Sequence, residues 1–481
     1  MAARFPHLFS PFSFAGLTFK NRIFSSGHDT SLTQGAVNDA LVAYHEARAR
    51  GGAALIIVEV AGVHESALYH TSTLRADTDD CVPGYARLAR AVHGFDCRLF
   101  GQLFHAGREV LAGADGSIPA ALSASDTPNE RFHLVPRAMT GAEVRNLVAC
   151  YGGAAGRLAE AGLDGIEIVA SHGYLPAQFL NPRINRRADE YGGTVENRIR
   201  FLVEIAAAAR VRLDGRILGL RISGAERDVP DGLSAEETAE ICARLTPYFD
   251  YFNVTVGSVT TLGSSMHSVP GMNLEPGYAA PLARTIKTRI GKPVFTAGRI
   301  NHPQLAETII ASGTADMVAM TRGMLSDPEL ANKARAGKVD EIRLRPGLRG
   351  PHPWRLFRVV HPVSRERART RLRHPRSGDV AQARPRRGRR AGGTQGRVRR
   401  GAARASRHAL RARGAPGRPG AARRETSRPH GVRRPRGKPD RRSPARGRGT
   451  RNRGRDRRGA RSRARARRRH PRHRGRAPRA H

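Results

Sequence analysis

His172 and Tyr174 follow directly on a short apolar run, Gly165 to Val169, in the stretch GIEIVASHGYLPAQFLNPRINRRADEYGG. The run reads as a buried strand. A buried parallel strand that ends in His and Tyr brings an imidazole and a phenol to the C-terminal mouth of an α/β barrel, where such folds do chemistry. A phenol is a weak acid, with an ordinary pKa of about 10, so Tyr174 needs hydrogen bonding to exchange a proton near neutrality. His267, in SSMHSVPGM after a later apolar run, is either a group that orients or reprotonates Tyr174 or an exposed loop histidine. Two strand ends set glycine beside arginine: Ala297-Gly298-Arg299 and Thr321-Arg322-Gly323. Glycine lets backbone N–H groups approach an anion, and arginine pairs with it bidentately. Gly298, Arg299, Thr321 and Arg322 are therefore a candidate phosphate cradle; the plainer alternative is two tight turns and a solvated charge. Arg221, in GLRIS, points inward from a central strand, where a cation is expensive without an anion beside it. A structural ion pair is the alternative.

These residues need a scaffold. Asn21-Arg22-Ile23-Phe24 opens a first strand, and seven more apolar runs follow: Ala54–Val60, Arg98–Leu103, Gly165–Val169, Ile217–Ser223, Tyr251–Gly257, Pro293–Gly298 and Met317–Thr321. Helical patterns lie between most of them, among them Ala142–Ala161, Glu196–Leu213 and Ser234–Thr246. Alternating strand and helix signals imply a parallel sheet, and eight strands imply an α/β fold of the (β/α)8 TIM-barrel type. Phe5 to Phe19 reads as a hairpin closing the barrel bottom. The long Pro/Ser/Asp-rich segment from Gly113 to Pro136 reads as a loop that shapes a pocket.

Charge divides the chain in two. The formal net charge is +43, yet residues 1–346 carry as many acidic as basic side chains. The excess lies in residues 347–481, where Arg, Pro, Gly, Ala and His dominate. That composition buries too little apolar surface to offset ordering entropy, so a disordered tail is expected. The tail is either a basic arm for nucleic acid or translation out of frame from GC-rich coding sequence. Its near-exclusive use of Arg over Lys and its scarcity of aromatics favour the second, making nucleic acid an unlikely partner. The four cysteines, Cys81, Cys97, Cys150 and Cys242, have no CxxC spacing, so no metal is expected. No secretory signal or membrane-spanning run is visible, which reads as a cytoplasmic protein.

The combination of HGYL, QFLNP, NRR and DEYGG…ENR resembles the flavin-binding barrel of the Old Yellow Enzyme family, in the large branch with dienoyl-CoA reductase and trimethylamine dehydrogenase. The resemblance covers about residues 5–346. It implies FMN as cofactor, hydride transfer between flavin N5 and a small organic substrate, and an external electron donor or acceptor. GQLFHAGR is similar to the family's QLxHxGR, whose Gln, here Gln102, bonds the flavin pyrimidine; Arg221 matches the Arg near flavin N1 and O2. In ene-reductases of the family a pair of ring nitrogens holds the substrate carbonyl, but Val169 stands three residues before His172 where the pattern has an aromatic or His. Tyr174 matches the tyrosine that donates a proton in dienoyl-CoA reductases. His28 resembles the amine-oxidising members, and Asp29 would set a carboxylate near a cationic amine, or else cap a turn with Thr30. With Val169 leaving room, oxidation or demethylation of N-methylated amines is the favoured reading. Ene-type reduction of an unsaturated carbonyl or thioester is the alternative. Nucleic-acid binding through the tail and a catalytically impaired remnant are readings of other classes. The family's large branch continues into a 4Fe–4S cluster and an FAD-type dinucleotide module; here no Cys follows Cys242 and no GxGxxG follows a strand.

Overall fold

The computed structural model describes residues 4–111, 120–230 and 232–343. The chain divides into two units, Met1–Gln382 and Ala383–His481. The expected domain boundary at 346, the tail of residues 347–481 and part of the Gly113–Pro136 segment lie outside the described residues.

Eight parallel strands close into a ring. They are β1 (Ile23–Ser25), β2 (Leu55–Gly62), β3 (Arg98–Phe104), β4 (Gly165–Ala170), β5 (Ile217–Ser223), β6 (Tyr251–Thr255), β7 (Val294–Thr296) and β8 (Met317–Ala319). Each pairs with the next, and β8 returns to β1. This is the expected (β/α)8 barrel. Three runs end earlier than the apolar pattern suggests, β6 at Thr255 rather than Gly257 among them. β7 stops at Thr296 and β8 at Ala319, so Gly298 and Arg299 belong to the following loop and Thr321 opens a short helix, Thr321–Ser326.

Strand period places the site. In β4, Ile166 and Ile168 face the surrounding helices in the main apolar core, while Glu167 and Val169 face the barrel axis. In β3 and β5, Leu99, Leu103, Leu218 and Leu220 likewise pack outward. Register sets Gln102 against Glu167, and Arg221 between Val169 and Asn253. Below these polar groups lies an apolar plug of Phe100, Ile217, Tyr251 and Phe295. A hairpin of Phe12–Phe14 with Leu17–Phe19 seals it from beneath, as expected, with Phe14 and Phe19 stacked at 5.4 Å and Phe14 edge-on to Phe295 at 5.8 Å.

The outer helices begin where their caps dictate. Thr140 and Glu143 form a capping box for Gly141–Glu160, and Ser234 and Glu237 form another for Ala235–Leu245. Thr194 caps Val195–Arg212 by accepting from Asn197 N–H. No helix among the described residues is long and apolar enough to cross a membrane.

Candidate active site

A cavity of about 590 Å³ opens at the C-terminal ends of the strands. It gathers every residue singled out above except His267: His28, Asp29, Gln102, Val169, His172, Tyr174, Arg221, Gly298, Arg299, Thr321 and Arg322 all line it. His267 points elsewhere. Its Nε2 meets the Asp228 carboxylate at 2.9 Å, Nδ1 is buried without a hydrogen bond, and its carbonyl accepts from the Tyr278 hydroxyl. Its helix, Leu262–Ser268, instead presents Met266 and Ser268 to the cavity.

The floor is organised by Glu167, a fully buried carboxylate. It accepts from Gln102 Nε2 at 2.6 Å, and from Tyr251 Oη and Asn253 Nδ2 at 2.9 Å each. An ionised carboxylate only accepts, so it fixes the amide orientation of Gln102 and leaves Oε1 as the atom offered to a ligand. Gly27 runs against that amide; a Cβ there would lie 2.6 Å from Oε1. Arg221 is buried and donates to Ser26 Oγ. It forms no ion pair among the described residues; burial lowers its pKa, and Glu167 opposes that from farther away. A buried cation with no carboxylate in contact suits an anionic or strongly polar ligand.

Across the cavity, Arg322 donates to the Pro270 carbonyl at 2.7 Å, and Arg299 donates to the Leu274 carbonyl. Burial, and then the neighbouring Arg299 charge, lower the pKa of Arg322. Two guanidiniums this close repel unless an anion joins them. Thr321 Oγ1 accepts from Ser26 N–H at 2.9 Å, which leaves its hydroxyl proton to donate. Gly298 has φ 142, in the region open to glycine, and Arg299 follows with a left-handed φ of 53. The donor set therefore fits a phosphate, and the cavity as a whole fits FMN: cations at the phosphate end, and an arginine and an amide acceptor for the ring.

The open side is more mixed. His172 has a left-handed φ of 61; such strain costs roughly 1–3 kcal/mol and concentrates at functional sites. Its Nδ1 lies 3.0 Å from Ser268 Oγ, and Nε2 makes no hydrogen bond among the described residues. Burial and the Arg221 charge push its pKa down to about 3, so the ring is neutral. Tyr174 packs edge-on against Phe104 at 4.6 Å and Tyr69 at 6.1 Å. Its hydroxyl makes no hydrogen bond among the described residues, and burial raises its pKa well above the ordinary value.

His28 sits deeper than a substrate ligand would. Nδ1 lies 2.9 Å from the Ser26 carbonyl, which requires a donor there, so Nε2 accepts from Tyr44 Oη at 2.5 Å. Burial lowers its pKa to about 4. Asp29 accepts from Ser31 N–H at 2.9 Å and pairs with His70 Nε2, so it both caps a turn, on Ser31 rather than Thr30, and lines the cavity. Glu59 lies behind it, accepting from Thr30 N–H at 2.8 Å; burial and the Asp29 charge push its pKa up to about 8.

Sequence pattern does not single out Tyr69, His70 or Arg131, which reach the cavity from loops after β2 and β3. No periodicity marks a loop side chain. Glu167 carries a readable signal: a charge within GIEIV must find partners if the strand is buried.

The NADH:flavin oxidoreductase / NADH oxidase family matches over residues 7–341. The NADH oxidase of Thermoanaerobacter brockii is 36% identical over 345 residues, 70% of this chain and 52% of that protein. The N,N-dimethylglycine/sarcosine dehydrogenase of Chromohalobacter salexigens is 33% identical over 347 residues, 70% of this chain and 50% of its own length. Among solved structures, a 2-naphthoyl-CoA reductase complex superposes with a TM-score of 0.65 at 27% identity, over 70% of this chain and 53% of that one. The chain thus spans about half the length of these relatives.

Proposed function

The chain belongs to the NADH:flavin oxidoreductase / NADH oxidase family, and from that premise we propose that its barrel holds FMN and oxidises N-methylated amines. Gln102 and Arg221 would hold the ring, and Gly298, Arg299, Thr321 and Arg322 the phosphate. FMN, when bound, supplies the two-electron acceptor.

The observation that carries the amine reading is the pairing of Val169 with Asp29. Val169 is 1% exposed and leaves His172 as a single imidazole donor, where a carbonyl oxygen would need two. Asp29 supplies a carboxylate on the same cavity wall as the aromatic faces of Tyr69 and Tyr174, a setting for an ammonium. The bound ammonium first sheds its N–H proton, to the Asp29 carboxylate and on to solvent, and the neutral amine then loses a hydride from an N-methyl carbon. The resulting iminium takes up water and separates into formaldehyde, the demethylated amine and a proton. Phe104, Tyr69 and Tyr174 keep bulk water from the reacting carbon, and neutral His172 offers Nε2 as hydrogen-bond partner to the amine. The similarity to a dimethylglycine/sarcosine dehydrogenase supports this substrate class. The free hydroxyl of Tyr174 favours a second reading, ene-type reduction with that phenol as proton donor, in line with the likeness to an aryl-CoA reductase.

Anaerobic mixing of the FMN-loaded protein with N-methylated amines separates the two. Bleaching of the flavin is expected. Absence of bleaching with any amine, together with reoxidation of the reduced protein by an enone, would reverse the ranking.

A further inference from the structure

His267 does not reach the cavity, yet the pair it makes with Asp228 bears on an imidazole that does. Asp228, in the loop after β5, holds the helix Leu262–Ser268 at both ends. At the start, Thr261 Oγ1 donates to the Asp228 carbonyl at 2.8 Å while it accepts from Ser264 N–H at 3.1 Å. At the end, His267 Nε2 donates to the Asp228 carboxylate at 2.9 Å. Asp228 reaches both with a left-handed backbone, φ 56, which aspartate enters more readily than most residues. Gly263 lets the helix come this close, since a Cβ there would lie 3.1 Å from that of Asp228.

The other side of the helix meets His172. Ser268 Oγ lies 3.0 Å from Nδ1 of the ring. Ser264 Oγ accepts from Ser258 N–H at 2.8 Å, and Val259 N–H donates to the His172 carbonyl at 2.8 Å. The Gly257 carbonyl also lies beside the ring. Ring and backbone of His172 are thus both held by the loop after β6, and Asp228 holds that loop. Asp228 itself is exposed and does not line the cavity. Beyond Ser268 the chain has separate ties: Arg322 donates to the Pro270 carbonyl at 2.7 Å, and Arg299 to the Leu274 carbonyl. Freeing the helix therefore leaves the phosphate end with its own anchors.

We propose that Asp228 is a positioning residue for His172: it fixes the helix, the helix fixes Ser268, and Ser268 fixes the plane in which the imidazole offers Nε2 to the substrate. This rests on the part given to His172 above. A substrate held by a ring free to swing spreads its reacting carbon over many positions, and misplacement by about 1 Å costs on the order of 100-fold in rate. Groups outside the cavity narrow that spread and leave the substrate side of the ring bare.

The test uses the full chain loaded with FMN and a double-mutant cycle between Asp228 and His172. Asp228→Ala is expected to lower the limiting rate of anaerobic flavin reduction by N,N-dimethylethylamine by about 10- to 100-fold, with the half-saturating concentration and the FMN stoichiometry little changed. Ser268→Ala should do the same. Asp228→Asn, whose amide oxygen still accepts from His267, should recover most of the loss. In His172→Ala, adding Asp228→Ala should cost nothing further. The ring nitrogens give a readout that needs no substrate. With nitrogen-15-labelled histidine, the NMR signals that vanish in His172→Ala should shift in Asp228→Ala and Ser268→Ala alike. Unshifted ring signals in both variants, or an equal loss of rate from Asp228→Ala with and without His172, would overturn the proposal. If no amine bleaches the flavin and an enone reoxidises it, the amine reading fails; the ring signals, and the same cycle read on the reoxidation rate, then decide the role of Asp228.

Discussion

Glu167 is the charge on which the barrel interior balances. It orients Gln102, receives Tyr251 and Asn253, and lends Arg221 its nearest compensating charge. Glu167→Gln would present an amide to three donors and release the orientation of Gln102. FMN affinity should fall by about 10-fold, read by flavin fluorescence. Titration adds a stability signature. His28, His105 and His172 are buried neutral, with pKa values lowered to about 4, 3 and 3, chiefly by burial. Unfolding releases them to an ordinary value near 6.5, so the unfolded chain binds more protons in between. Their contribution is present above about pH 6.5 and is lost as pH falls toward their folded values. Glu59 runs the other way, raised to about 8. Its contribution is present below its unfolded value near 4.5 and is lost as pH rises through 8. Denaturant midpoints across pH should therefore peak near pH 7, where the three histidine gains and the Glu59 loss balance, and Glu59→Gln should flatten the limb above it. A midpoint that rises rather than falls between pH 7 and pH 8 in wild type would contradict the burial of a protonated Glu59.

At the scale of elements, the eight strands were legible because each alternates between a leucine-rich outer face and an inner face, or is apolar throughout. The helical patterns Ala142–Ala161, Glu196–Leu213 and Ser234–Thr246 were legible to within one residue of the observed starts at Gly141, Val195 and Ala235. The short forms of β7 and β8 were not, because Gly298 and Thr321 continue an apolar-to-small pattern while their backbones have already turned. The orientation of His267 was not legible either. Its helix is packed so that Asp228, distant in sequence, takes the ring. The hairpin offers a direct stability test. Phe19 is fully buried against Phe14 and, at 6.2 Å, Phe100. Phe19→Ala should destabilise the barrel by about 3–5 kcal/mol in urea unfolding, with little change in the site at the opposite end. Thr140→Ala removes one capping box and should cost about 1 kcal/mol.

Over the whole molecule, the charge asymmetry and the family match fall on the same side: the family matches residues 7–341, residues 1–346 carry no net charge, and the +43 lies in residues 347–481. Loop residues such as Arg131 and His70 stayed illegible because only closure of the barrel brings loops after different strands to one cavity. The chain spans about half the length of its longer relatives. The claim beneath every reading is that Arg299, Arg322, Gln102 and Arg221 surround one phosphorylated flavin. Titrating the flavin-stripped chain with FMN and, separately, with riboflavin tests it most directly. Saturation with one FMN per chain, much weaker uptake of riboflavin, and convergence of the two in Arg322→Met are expected. Equal affinity for FMN and riboflavin in wild type, or no binding of either, would contradict it.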